Sequence, residues 1–330
     1  MDLKEMGTTN PLNELSPGHR VAIITHVNPD GDAYGSVLGL MHLLDEAAIR
    51  ADGFIEDDRQ SKYSFLPGYD RLLRDAVSDG TTHYECCFVL DCASLDRISR
   101  FEDIIRSSDK VVNIDHHVSN TLFGDVQLVQ PNRSSTAEMI SDLAIAAFGR
   151  MEAKAATCLL TGMITDTGGF AYENVSASTF RMAAELLEFG ADHPNIHLHL
   201  YQNRPMQNAR LLSRMIESME LFAEETVAVL TVSIHELEKF EVAYEDLDEC
   251  VEFVRDLKGI ECAVLLKERS SVETKVSFRS KKWLDVNKIA GRLGGGGHKR
   301  AAGATLHVNM DKAKSEVIHA ISLHTGDEIS

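Results

Sequence analysis

Four short apolar runs, at residues 21–24, 51–55, 85–90 and 110–114, constrain the fold of the first half of the chain more than any other feature. Each is strand-length and rich in Val, Ile, Phe or Cys. None shows the sustained polar alternation of a strand with one wet face, so they read as strands buried on both faces. Between and after them come stretches with helical periodicity, at residues 37–44, from about 136 to 148, 153–165 and 177–189. Strand, polar loop, helix is the unit of an α/β fold, here a mostly parallel sheet with helices on both faces.

What stands at the ends of these runs is chemically specific. The loop after residues 21–24 carries His26, Asp30 and Asp32, with Pro29 and Gly31 marking a tight turn. The third run ends in Asp91, the fourth in Asp115-His116-His117, and the helix over 153–165 in Asp166. Each has a plain structural use: Asp32 as a helix N-cap, Asp30 as a turn residue, Asp91 as a cap for the 94–98 segment. Together they fall where an open α/β sheet binds ligands, at the carboxyl ends of its strands. Imidazole plus carboxylate is a donor set for Mn²⁺, with Mg²⁺ sharing the carboxylates, rather than for structural zinc. The excess over four donors implies two ions bridged by one carboxylate, roughly 4 Å apart. Asp166 meets the unfavourable end of its helix dipole, which a cation would compensate. Ser135 and Glu138 have capping-box spacing, and the helix they open offers N–H groups to a phosphate or water. His193, His197 and His199 lack a carboxylate or strand-end context and read as structural.

The second half has a different rhythm. Strands are expected over residues 226–233, 262–267, 272–279 and 302–308, the middle two antiparallel. Helices are expected over 244–257, 285–293 and 312–323. This is a smaller mixed α+β domain. The boundaries are residues 1–195 for the first domain, 196–224 for a connection containing a helix over 205–222, and 225–330 for the second. From Lys267 to Arg300 ten basic residues face only Glu268, Glu273 and Asp285. Within that stretch Gly294, Gly295, Gly296 and Gly297 precede His298. Four consecutive glycines are costly to order and suit a backbone that approaches an anion closely. A hinge is the alternative, but it leaves His298, Lys299 and Arg300 unexplained.

A formal net charge of −18 argues against a clamp on long duplex nucleic acid, which needs many cationic phosphate contacts. No apolar run reaches the roughly 18 residues of a membrane span, and residues 1–5 lack the order of a signal peptide. Six cysteines without CxxC spacing read as reduced thiols in a cytoplasmic protein.

Taken together, His26-Val-Asn-Pro-Asp30-Gly-Asp32, Asp91, Asp115-His116-His117, Asp166 and the 294–298 glycine run resemble the DHH phosphoesterase superfamily over nearly the whole chain. Within it the chain is similar to the nano-RNase/pAp-phosphatase branch. The resemblance implies a DHH catalytic domain, a DHH-associated substrate-binding domain and a cleft between them. It implies that His26, Asp30 and Asp91 hold one Mn²⁺, and that Asp32, Asp91, His116 and Asp166 hold the other. A water between the ions would be the nucleophile. His117 would contact the scissile phosphate or move a proton, and Asp115 would orient the histidines. Arg279, Ser280, Gly295, Gly296, Gly297 and His298 would grip the substrate. The implied substrates are short RNA oligonucleotides, taken as an exonuclease, and 3′-phosphoadenosine 5′-phosphate (pAp). Linear or cyclic dinucleotides are the alternative, and a non-catalytic nucleotide sensor is the alternative of another class. No membrane partner is expected; a homodimer is compatible with the resemblance.

Overall fold

The computed structural model describes residues 9–56, 60–75, 82–98, 100–297 and 299–325. The chain divides into two compact units, Met1–Asn203 and Arg204–Ser330.

The first unit runs β1 (Arg20–Thr25), α1 (Gly31–Glu46), β2 (Arg50–Phe54), β3 (Cys86–Leu90), α2 (Glu102–Ser107), β4 (Val111–Asp115), β5 (Val126–Val129), α3 (Thr136–Phe148), α4 (Ala153–Asp166), α5 (Ala177–Glu188) and α6 (His193–Tyr201). Its five strands are all parallel, in the order β2-β1-β3-β4-β5. Side chains alternate across the sheet, and both faces are covered. Val21, Ile23, Phe88 and Ile114 enter the core under α1, α3 and α4. Ala22, Ile24, Cys87 and Val89 enter a second core with Ile104 and Ile105 of α2. Burial on both sides is why β1 and β3 are apolar at nearly every position, while β4 buries Asn113 with hydrogen-bond partners and the edge strand β2 carries Asp52. The edge strand β5 is short and only partly buried, so its sequence carries too little apolar signal to read.

One helix pair fixes the geometry of the unit. Gly31, Gly35 and Gly39 line one face of α1 at four-residue spacing, and α4 packs directly on them. A Cβ at Gly31 would lie 2.4 Å from the Thr165 side chain, one at Gly35 2.5 Å from the Cys158 carbonyl, and one at Gly39 2.6 Å from Leu159. Bare backbone at these points lets the two helices approach closely.

The second unit runs α7 (Met206–Glu217), β6 (Glu220–Phe222), β7 (Val227–Val232), α8 (Ile234–Phe240), α9 (Asp248–Arg255), β8 (Cys262–Ser270), β9 (Glu273–Ser280), α10 (Val286–Arg292), β10 (Gly296–Gly297), β11 (Ala301–Leu306) and α11 (Met310–Thr325). The sheet order is β10-β11-β9-β8-β7-β6, with β7 and β8 parallel and the other pairs antiparallel. Cys262, Val264 and Phe278 pack under α10 and α11. Ala263 and Leu265 pack under α7 and α9. The expected helix over 205–222 is shorter: it stops at Glu217, and residues 220–222 form β6 instead. His199 stacks on Phe65 with ring centroids 4.5 Å apart, a packing use. All six cysteines are buried thiols, and burial pushes Cys86 and Cys92 up to about 12. Among the described residues no helix is long and apolar enough to cross a membrane.

Candidate active site

The carboxyl ends of β1, β3 and β4 and the ends of α1 and α4 meet at one place. Asp30 is the N-cap of α1: its Oδ1 accepts from Asp32 N at 3.0 Å and Ala33 N at 3.1 Å. The cap is therefore Asp30, and Asp32 lies within the first turn, where sequence reasoning has the roles reversed. Asp32 is buried. Its carboxylate accepts the first N–H groups of α3, Thr136 N at 2.7 Å and Ala137 N at 2.9 Å, plus the Ser36 hydroxyl at 3.2 Å. Glu138 N donates to Ser135 Oγ. The N-terminus of α3 is thus occupied by side chains of the chain itself, which corrects the expectation that it offers N–H groups to a phosphate. The capping box is also only half made: Glu138 turns to the Ser134 N–H and hydroxyl and to Arg133.

Asp91 follows β3 with φ +55°, a left-handed conformation rare for a residue other than glycine and found where geometry is imposed by a site. Its carboxylate is shared. Oδ2 lies 3.5 Å from His26 Nε2, while Oδ1 lies 3.6 Å from both His116 Nε2 and His117 Nδ1 and accepts the Thr136 hydroxyl at 3.2 Å. His116 Nε2 is also 3.4 Å from Asp166 Oδ2. His26 Nδ1 faces the Val27 carbonyl at 2.7 Å and His116 Nδ1 the Arg133 carbonyl at 3.3 Å. A carbonyl only accepts, so the Arg133 contact puts a proton on His116 Nδ1 and directs its Nε2 into the cluster; His26 Nδ1 also meets the Arg97 guanidinium, a donor, at 3.0 Å, while its Nε2 faces Asp91.

Donor atoms of His26, Asp30 and Asp91 lie within 4.8 Å of one another, as do those of Asp32, His116 and Asp166, and of Asp91, His116 and His117. Asp115 faces the other way. Its Oδ1 takes His117 Nδ1 at 2.6 Å and the His116 N–H at 2.9 Å, and its Oδ2 takes Asn120 Nδ2 at 2.6 Å. Asn120 also donates to Asn113 Oδ1 and to the Cys92 carbonyl.

The electrostatics are those of crowded negative charge. Burial, then Asp91 and Asp30, push the Asp32 carboxyl well above its ordinary range. Burial and the surrounding carboxylates, Asp32 first, do the same to Asp166. Burial opposes the charge on Asp91, but the His26 hydrogen bond and the three nearby imidazoles outweigh it and hold the carboxyl low. Burial likewise opposes a charged His117, yet the bond to Asp115 and the field of Asp91 raise it to about 9. An oxygen-and-imidazole donor set with carboxyls pushed this high fits divalent cations.

Residues 20–163 match the DHH family, N-terminal domain, and residues 224–323 match the DHHA1 domain. A Thermus thermophilus protein named bifunctional oligoribonuclease and PAP phosphatase NrnA is 34% identical over 304 residues, covering 91% of this chain and 89% of its own length. The chain belongs to the DHH family. A Bacillus subtilis protein of the same name is 28% identical and covers 91% of this chain and 93% of its own. A crystal structure of an exopolyphosphatase-related protein from Bacteroides fragilis matches with a TM-score of 0.86 at 27% identity over 93% of both chains. As a DHH-family protein the chain is a phosphoesterase, a hydrolase of phosphoric ester bonds.

The DHHA1 half of this DHH-family chain holds the remaining sequence candidates. Arg279, on β9, donates to the Phe278 carbonyl and pairs with Glu252 at 3.6 Å. The Ser280 hydroxyl is buried and donates to the Leu284 carbonyl at 2.8 Å, a bond inside the fold. Gly296 and Gly297 form β10 against β11. A Cβ at Gly295 would sit 2.0 Å from the Gly303 carbonyl and one at Gly297 2.6 Å from the Ala301 carbonyl, so strand packing alone demands these two glycines. Gly296 is different: its missing Cβ faces open space but for Asn287 Oδ1 at 3.8 Å. His298 lies outside the described residues. Thr136, Asn113 and Asn120, which hold Asp91 and Asp115 in place, escape sequence reasoning because an isolated Thr or Asn carries no spacing signal.

Proposed function

We propose that the chain hydrolyses short RNA oligonucleotides and pAp with two divalent cations, Mn²⁺ by preference. His26, Asp30 and Asp91 would hold one ion, and Asp32, Asp91, His116 and Asp166 the other. The observation that carries this reading is the Asp91 carboxylate, whose two oxygens face different imidazoles and which belongs to two of the donor groups. Two bound ions supply an activated water and offset charge on a phosphoryl group. The chain's own groups supply the rest. His117 stands beside Asp91 with its Nδ1 on Asp115, a partner that favours the protonated imidazole, and would meet a phosphate oxygen or a leaving group. Asp115 keeps that imidazole oriented and charged. In the second unit the basic stretch from Lys267 to Arg300 supports binding of a short anionic substrate in an otherwise acidic chain. The names of the Thermus thermophilus and Bacillus subtilis relatives support oligoribonucleotides and pAp as that substrate.

The test is release of phosphate from pAp and of AMP from the dinucleotide pApA, with cyclic di-AMP measured alongside, in Mn²⁺. Calorimetry should report two Mn²⁺ per chain, and Asp91→Asn should reduce that number and lower kcat by roughly a thousand-fold or more. Hydrolysis of cyclic di-AMP in preference to pAp and pApA would move the substrate to dinucleotides. Tight pApA binding without turnover of any of the three would make the chain a sensor and sink the hydrolase reading.

A further inference from the structure

The second unit displays the chain's sole tryptophan, Trp283, at 57% exposure on the loop between β9 and α10. Phe180 is about as exposed, at 56%, and what sets Trp283 apart is that the backbone beneath it is held from two sides. From below, the buried Glu261 accepts three successive N–H groups on one oxygen: Lys282 at 2.9 Å, Trp283 at 2.8 Å and Leu284 at 3.0 Å. From the side, Arg300 donates to the Leu284 carbonyl at 3.1 Å and to the Lys282 carbonyl. Ser280 N bonds Arg300 O, and Val286 N bonds Lys299 O, so Lys299 and Arg300 run alongside the loop. Among the described residues no other ring and no cation stacks on the indole. Lys282 and Lys299 are exposed. The backbone under the ring is thus fixed, and the ring is open and flanked by exposed lysines within a chain of net charge −18.

Position narrows its use. Arg279 pairs with Ala301 and Gly297 with Ala302, so the end of β9 at Arg279, the end of β10 at Gly297 and the start of β11 at Ala301, with Lys299 just before it, share one end of the sheet, the end from which the chain runs into the Trp283 loop. We propose that Trp283 is a stacking platform for a nucleobase of a single-stranded oligonucleotide, with Lys282 and Lys299 meeting the phosphates on either side. An open aromatic face combined with nearby cations is the arrangement by which single strands are bound without base-specific hydrogen bonds. It gives base tolerance, and it favours a substrate with a second base over a lone sugar phosphate. The inference rests on the oligonucleotide reading of the first unit and adds a specificity determinant to it.

Because Trp283 is the only tryptophan, its fluorescence reports on itself. Full-length Asp91→Asn protein, titrated with pApA, should show quenching of Trp283 emission that inorganic pyrophosphate does not produce. In the otherwise wild-type chain, Trp283→Ala should raise KM for pApA about ten-fold with a smaller effect on kcat. Trp283→Phe, which keeps a ring, should recover most of the loss. Wild-type hydrolysis of pApA with unmoved fluorescence and an unchanged KM in Trp283→Ala would overturn the platform and leave the hydrolase reading standing. If wild-type protein neither hydrolyses nor binds pApA, both fall. A Trp283 emission that changes with protein concentration, and not with pApA, would assign the ring to a contact between chains and overturn the proposal.

Discussion

Asp115, in the middle of the site's defining tripeptide, has both carboxylate oxygens engaged inside the protein, by His117, the His116 N–H and Asn120. A side chain held this way acts through its neighbours. In Asp115→Asn one of the charges that raise His117 is lost while Asp91 and Asp30 remain, so the metal-free His117 titration should drop from about 9 toward its ordinary 6.5. Proton NMR of the imidazole measures this directly. Activity should fall by about ten- to a hundred-fold, the usual cost of removing a group that orients a ligand or catalytic residue. A purely structural Asp115 would lower stability without moving the His117 titration.

At the scale of elements, the α1–α4 contact decides whether the site exists. Asp32 sits on α1 and Asp166 ends α4, and the bare faces of Gly31, Gly35 and Gly39 let these helices touch. A Cβ at Gly35 would come within 2.5 Å of the Cys158 backbone carbonyl, which has no rotamer to retreat into. Gly35→Ala should therefore destabilise the protein by about 2 kcal/mol or more and weaken Mn²⁺ binding together with it. Gly291→Ala supplies the contrast. Gly291 is in α10 with nothing within 4 Å of the missing Cβ, so alanine should stabilise by about 0.5–1 kcal/mol through helix propensity. Chemical denaturation of the two variants separates a glycine required by packing from one that is merely tolerated.

For the molecule as a whole, the site stores unfavourable charge that depends on pH. Asp32 and Asp166 have folded-state values above the ordinary 3.8. Their contribution to stability is complete below that pH and is lost as pH rises through the folded values. His117 behaves alike at higher pH: its contribution is complete below 6.5 and is lost as pH rises through about 9. Asp91, held low, contributes at any pH above its ordinary range and does not offset the trend there. The metal-free protein should accordingly lose thermal stability between pH 5 and pH 8. Saturating Mn²⁺ should restore it, with a Tm gain of roughly 5–10 °C at pH 8 and a smaller one at pH 5. Thermal melts in EDTA and in Mn²⁺ at the two pH values decide the matter; a larger gain at pH 5 would contradict the charge assignment.

Much of this was legible in the chain itself. The two-sided burial of β1 and β3 is written in unbroken apolar runs, because a strand covered on both faces takes a polar residue only where a partner satisfies it, as Val89 O, Cys92 O and Asn120 satisfy Asn113 within β4. The candidate donors were visible because each stands at a strand or helix end in its own local signal. What the chain does locally is set by such neighbours in sequence. Other features depend on neighbours in space. That Asp30 rather than Asp32 caps α1, that Asp32 occupies the N-terminus of α3, and that Gly295 and Gly297 serve strand packing all follow from contacts between distant segments. So does the mounting of Trp283 on Glu261 and Arg300. A carboxylate's partners, and the room left for a Cβ, are properties of what packs against them, and only the folded chain brings those groups together.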